Sequence, residues 1–258
     1  MASSPSYEFY SRLVAAFEAD ESGLLGRVSL LHSTVGMIQY VYYIHLTHAD
    51  GRGPLPLWIH LFHLAHDSVF AWVLATEAPR HGNHAYFTSM SKGLAVWSLL
   101  EVYCIYRAVV HEREGLFADK DDGDKKKGGS GSGNGNNRPD RTLAYVHCLL
   151  QLFTFYCLVL TVNYMVGPEA FPHWTLLAKV LACVGPGGLW LERGSRRGAR
   201  MGLAVLSVVD AVTCFSPYSR WVLVWPEVFD NPVFYLTGVC CTMVALFNVY
   251  VLTRLPYV

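Results

Sequence analysis

Seven long, mostly apolar stretches, at about 28–47, 55–75, 86–110, 142–166, 174–191, 200–216 and 231–253, run through this 258-residue chain. Short charged connectors separate them. A helix that crosses a bilayer needs roughly 20 consecutive apolar residues, because the hydrocarbon core is about 30 Å thick. Backbone polar groups in that core must be satisfied within the segment itself, which restricts an apolar chain of this pattern to helices or a closed barrel. The stretches are too long for barrel strands. The expected fold is therefore all-α: a polytopic transmembrane bundle of about seven spans forming one domain over residues 1–258. The sixth stretch is short and carries Asp210; without it the count is six. Charged residues make up only 16% of the chain and hydrophobic ones 52%, against about 25% charged in soluble domains.

The connectors set the orientation. GRGPLP at 51–56 and EAPRHGNH at 77–84 read as turns, since proline discourages helix continuation and glycine permits sharp backbone angles. The segment 111–141 is rich in Gly, Ser, Asn and charge, and is expected to be a disordered polar loop because it has too little apolar surface to fold alone. Arg52, Lys125, Lys126, Lys127, Arg196, Arg197, Arg200 and Arg254 fall on one side of the seven-span scheme; Arg12, Arg27, Arg80 and Arg220 fall on the other. The basic excess marks the cytosolic side, which puts the N-terminus in the lumen and the C-terminus in the cytosol. Residues 8–22 are read as a short interfacial helix with Phe9, Leu13 and Phe17 on one face. The N-terminus has neither the basic region nor the apolar core of a signal peptide. Most of the seven cysteines sit within apolar runs, where they behave as small hydrophobes, and no disulfide framework is expected. With zero net charge, nothing favours nucleic acid as a partner. No internal repeat of the transporter kind is visible.

Ionisable groups within a span are costly and usually functional. In LPLWIHLFHLAHDSVFAWVLA, His60, His63 and Asp67 share a helix face by their spacing of three and four. His66 is expected to point about 100° away from Asp67. A carboxyl shut away from water favours its neutral, proton-carrying form and can serve as an acid. Asp67 is thus the leading catalytic candidate, with His63 orienting it or sharing its proton and His60 beside the ligand; a polar clamp between helices is the alternative. Glu101 in the third span is a second candidate carboxyl, or a partner for Lys92 or Arg107. Asp210 in the sixth and Asn248 in the last are candidate ligand contacts, although hydrogen bonding between helices is the ordinary role of an intramembrane Asn. Of the many aromatics, Tyr43, Trp97 and Tyr103 are candidate walls for a bound cation.

Three function classes remain open on these residues. One is a membrane enzyme using an intramembrane acid. Another is a seven-helix receptor or small transporter in which Asp67 and Glu101 bind a cation. The third is a metal-dependent membrane oxidoreductase built on the eleven histidines, which lack the adjacent His pairs and complete boxes of di-iron enzymes. No metal is expected.

The stretch YVYYIHLTHADGRGPLPLWIHLFHLAHDSVFAWVLA resembles the fungal membrane-bound terpene cyclases of meroterpenoid and indole-diterpene pathways. HLAHDSVFAW corresponds to that family's N-x-x-W-E-F-V-Y-like segment, with Asp67 where the family has its essential Glu. WSLLEVY is similar to its Trp-plus-acid segment and puts Glu101 in the acidic position. FNVYVLTRL resembles a last-span segment that often carries Asp, where this chain has Asn248. Among the branches, the ascochlorin/ascofuranone cyclases are the most similar. The resemblance implies a cofactor-free, isomerase-type cyclase of the endoplasmic reticulum. Its partners are the bilayer and a small prenylated substrate, an epoxidised farnesyl phenol. The chain has no DDxxD-type segment, which suits initiation by protonation.

Overall fold

The computed structural model describes residues 5–111 and 141–257. The polar segment read as a loop lies, over 112–140, outside the described residues. Among the described residues ten α-helices follow one another: α1 (Pro5–Glu18), α2 (Leu24–Ala49), α3 (Leu57–Glu77), α4 (Ala85–His111), α5 (Arg141–Val166), α6 (Ala170–Arg193), α7 (Met201–Cys214), α8 (Arg220–Val224), α9 (Pro226–Phe229) and α10 (Pro232–Arg254). There is no strand among the described residues.

The helix boundaries follow local chemistry. Pro56 sits extended before α3, because its ring fixes φ and cannot continue a helix backward. Gly194, at φ 59, ends α6 and donates its N–H to the Trp190 and Leu191 carbonyls, the left-handed stop that glycine adopts without steric cost. Asn231 opens α10 by accepting from the N–H groups of Val233 and Phe234, with Pro232 in the first helical position.

Four helical segments are long and apolar enough to cross a membrane: 57–81, 85–110, 142–193 and 232–254. The third comprises α5 and α6, separated by a 3-10 turn over Gly167–Glu169. α3 packs most extensively on α4 and also meets α5 and α6; α10 packs on α6 and α7, and α2 on α4 and α7. Within its most apolar window α3 is 67% buried, against 17% for the 142–193 segment. α3 is therefore the central helix. The outer helices turn large apolar side chains outward: Phe153 is 69% exposed, Leu99 70% and Tyr164 91%. An apolar exterior of this extent needs a partner, and helices this long suit a bilayer.

One end of the bundle is laced by polar contacts. Asp50 accepts from Arg200 Nη2 and from the Gly198 N–H, both at 3.0 Å. Trp190 Nε1 donates to the Pro54 carbonyl at 3.2 Å, and Arg196 Nε to the Leu255 carbonyl at 3.0 Å. The connectors after α2 and α6 and the C-terminal residues thus lie together.

At the opposite end α1 lies against the bundle. Phe9 stacks on Trp225 with ring centroids 4.5 Å apart, Tyr10 and Leu13 are buried, and Arg12 forms a two-pronged ion pair with Glu227. The apolar face expected to lie in a lipid interface instead packs on protein. The aromatic cluster around Trp221, Trp225 and Phe87 supplies its partner, a long-range feature that helix periodicity cannot reveal.

A glycine allows one close helix contact, between α6 and α10. A Cβ at Gly187 would lie 1.9 Å from Asn248 Oδ1, while Asn248 Nδ2 donates to the Cys183 carbonyl at 2.8 Å. Gly187→Ala must push Asn248 off that carbonyl, and overpacking of this kind typically costs about 1–3 kcal/mol. We expect a lower melting temperature for Gly187→Ala in detergent, partly restored in Gly187→Ala/Asn248→Ala. Equal melting of wild type and Gly187→Ala would show that the contact is loose.

Candidate active site

The site begins with the spacing of α3. His60, His63 and Asp67 lie on one face, and the neighbouring helices α2 and α4 bring Tyr40 and Glu101 to it. Glu101 is fully buried. Its Oε1 accepts from the Tyr40 hydroxyl at 2.7 Å and lies 3.2 Å from His63 Nδ1; its Oε2 lies 2.5 Å from His60 Nδ1. Three donors converging on one side chain suit an ionised, acceptor-only carboxylate. The Tyr40 oxygen is also 3.3 Å from Asp67 Oδ2, so the tyrosine stands between the two acids. A proton on Asp67 Oδ2 completes a directed chain: Asp67 donates to Tyr40, and Tyr40 donates to Glu101.

His66 departs from the expectation that it points away. Its Nδ1 lies 2.8 Å from Asp67 Oδ1. Adjacent residues on a helix diverge at Cβ, but an imidazole is long enough to curl back to a neighbouring carboxyl. Glu101 likewise pairs with histidines and a tyrosine of other helices, not with Lys92 or Arg107 of its own; Arg107 reaches the Thr47 carbonyl at 3.4 Å.

Asp67, Tyr40, His63 and His66 line a narrow internal cavity of about 60 Å³, smaller than the roughly 300–1,000 Å³ typical of small-molecule sites, so a prenyl-sized ligand requires the surrounding helices to part. Tyr43, Trp97 and Phe171 supply its aromatic wall. Trp97 stacks on Tyr40 at 5.9 Å and 18°, and lies over Gly36, whose missing side chain gives the indole room. His60 and Glu101 stand behind this wall and touch the cavity only through Tyr40 and His63. The Nε2 atoms of His63 and His66 are buried without a hydrogen-bond partner. With Nδ1 of each ring donating to a carboxylate, Nε2 is left as the acceptor.

The remaining candidates fall elsewhere. Asp210 is buried behind the wall, where its Oδ2 accepts from Lys179 Nζ at 3.0 Å and its Oδ1 lies 3.7 Å from His32 Nδ1. Tyr103 packs in the apolar cluster around Tyr43, Ile59 and Trp190. Asn248 joins α10 to α6 as described above. Neither Tyr103 nor Asn248 lines the cavity. Among the described residues, no group of three or more His, Cys, Asp or Glu side chains converges in a way that could hold a metal ion.

Five polar residues on the wall escaped the sequence reading: His32, Gln39, Thr175, Lys179 and Arg220. Lys179 stood in plain view, as an ionisable side chain inside an expected span, which is the signal that singled out Asp67. Arg220, counted among the connector charges, is in fact buried, at 6% exposure. Its five-residue helix folds inward from the 215–231 connector, and no local pattern announces that.

No family model matches the chain, and no curated protein or solved structure is similar to it. The site's own geometry carries the argument from here.

Tyr40 and Glu101 should act as one unit. Removing either leaves the other's buried group unsatisfied, and partners in one network typically couple by about 0.5–3 kcal/mol. A double-mutant cycle with Tyr40→Phe and Glu101→Gln, read by unfolding in mixed detergent, should give a coupling of about 1 kcal/mol or more. Additive losses would mean that the hydroxyl does not hold the carboxylate.

Proposed function

We propose that this chain is an integral membrane terpene cyclase that opens an epoxidised farnesyl substrate by protonation and closes it into a ring. One observation carries the reading. Asp67 is the carboxyl on the wall of an aromatic-lined cavity, backed by Tyr40 and by a second carboxyl that is itself saturated with donors. That arrangement places an acid at one point on the wall of an aromatic-lined chamber.

The steps follow from the donors. Asp67 transfers its proton to the epoxide oxygen, and the C–O bond to the more substituted carbon breaks. The π electrons of an internal alkene, or a hydroxyl lone pair, attack the tertiary cation and form the new ring bond. Trp97, Tyr43 and Phe171 face the positive charge with their rings, whose quadrupoles attract cations. His63 Nε2 takes the final proton, assisted by the Glu101 carboxylate on its other nitrogen. One proton enters and one leaves, so the product is an isomer of the substrate, and no cofactor takes part.

Seven spans suit the same reading. α2 is 26 residues long, and falls short of span-like apolarity because it lends His32, Gln39 and Tyr40 to the interior. α7 has 14 residues, about 21 Å at 1.5 Å per residue, and the short helices α8 and α9 follow it in the chain. The basic connectors gathered at one end support a cytosolic C-terminus and a lumenal N-terminus, and the endoplasmic reticulum is the membrane we infer.

The test is a microsomal assay with an epoxidised farnesyl phenol. Wild type should yield a cyclised isomer of unchanged mass. Asp67→Asn should lower turnover by about 10²–10⁴-fold, the usual contribution of a positioned general acid, with membrane insertion intact. If neither this substrate nor a small panel of epoxyprenyl compounds is converted, the chamber is a binding site and the enzyme reading fails.

A further inference from the structure

The cavity has a second polar pole, and the cyclisation chemistry leaves it unused. Lys179 and Arg220 line the wall at the end nearer α8, away from Glu101. Lys179 is neutralised by Asp210 at 3.0 Å. Arg220 has no such partner. Its Nε and Nη1 are buried without a hydrogen bond, and its guanidinium lies flat on Trp221, 4.2 Å from the ring centroid. Stacking satisfies the face of a guanidinium and leaves its edge donors unspent. Ser219 caps the helix that begins at Arg220, accepting from the Val222 N–H, and holds the side chain's root in place. A buried charge left unpaired is expensive, and proteins that keep one normally pair it with something.

We infer that Arg220 is an anion-binding subsite for a singly charged head group, a carboxylate, on the prenylated ligand of this cavity. The charge balance selects the class. Two cations and one carboxylate leave a single positive charge at this pole, which a carboxylate cancels and a phosphate dianion overfills. Arginine also meets a carboxylate through paired, charge-assisted hydrogen bonds. The head is held at Arg220, so the apolar tail runs past Phe171 and Trp97 toward Asp67. The anchor thereby sets which end of the chain meets the acid. This assignment takes the prenyl character of the tail from the cyclase reading, but its test requires no turnover.

Purified full-length protein in detergent is titrated with farnesoic acid, its methyl ester and farnesyl phosphate, with thermal stabilisation as the readout. Farnesoic acid should bind about tenfold more tightly than the ester, a difference of about 1.4 kcal/mol. That preference should vanish in Arg220→Gln and persist in Arg12→Gln, which removes a guanidinium on the outer surface. Equal binding of acid and ester to wild type overturns the proposal, and needs no variant to fold. So does a preference for the acid that survives Arg220→Gln, or tighter binding of farnesyl phosphate than of farnesoic acid. Loss of cyclisation with intact acid preference would overturn only the enzyme reading.

Discussion

The buried carboxylate of Glu101 is the interaction on which the interior depends. A charge placed at 0% exposure inside an apolar bundle is untenable alone. It is tolerated here because three donors from two other helices converge on it: Tyr40 from α2, and His60 and His63 from α3. Each donor fixes a helix in rotation and depth. A slip of α3 by one residue would turn His60 and His63 away by about 100° and strand the charge. The polar cluster therefore specifies how α2, α3 and α4 meet, a selectivity that apolar packing alone does not give.

The same requirement explains how polarity is distributed. The outer faces of α4, α5 and α10 carry Leu, Val, Phe and Met, while α3 is the most buried of the long helices and carries His60, His63, His66 and Asp67 in its interior. Lipid cannot satisfy a histidine or a carboxyl, so these groups must find partners within the bundle. Those that do are structural as well as chemical. Two acceptor nitrogens, on His63 and His66, and two donors on Arg220 find none. These atoms belong to side chains on the walls of one cavity, while other buried polar atoms without a partner, on Glu77, His81, Arg107 and Trp225 among others, lie away from it.

Much of this architecture was legible in the sequence, because membrane helices announce themselves by length. The expected stretches and the observed helices agree within a few residues, and the weakest, 200–216, is also the shortest, Met201–Cys214. Asp67 and Glu101 were legible for the same reason: they stand out against apolar neighbours. What stayed hidden was which atoms meet. Helix geometry gives the direction of Cβ, not the reach of a side chain, and so His66 was expected to point away from the carboxyl it touches. Tyr40 looked like one tyrosine among several in YVYY, and only the approach of α4 makes it the link between two acids. Arg220 resembled a connector charge because its burial depends on how the 215–231 segment folds back over the cavity.

The two carboxyls are not equivalent, and their surroundings decide which of them can do chemistry. Glu101 has both oxygens occupied by donors and lies behind the wall, so it has neither a proton to give nor access to a ligand. Asp67 has one oxygen held by His66 and the other 3.3 Å from a hydroxyl that is already donating to Glu101. Asp67 borders the cavity. Asn248, where the resembled cyclases often carry an acid, is committed to the Cys183 carbonyl and wedged against Gly187. An ionised Asp in its place would have no Nδ2 to donate and would press a charge against a backbone carbonyl. The proton chemistry we propose thus rests on α3 and its two neighbours, and Asn248 of α10 serves to hold α6 in position.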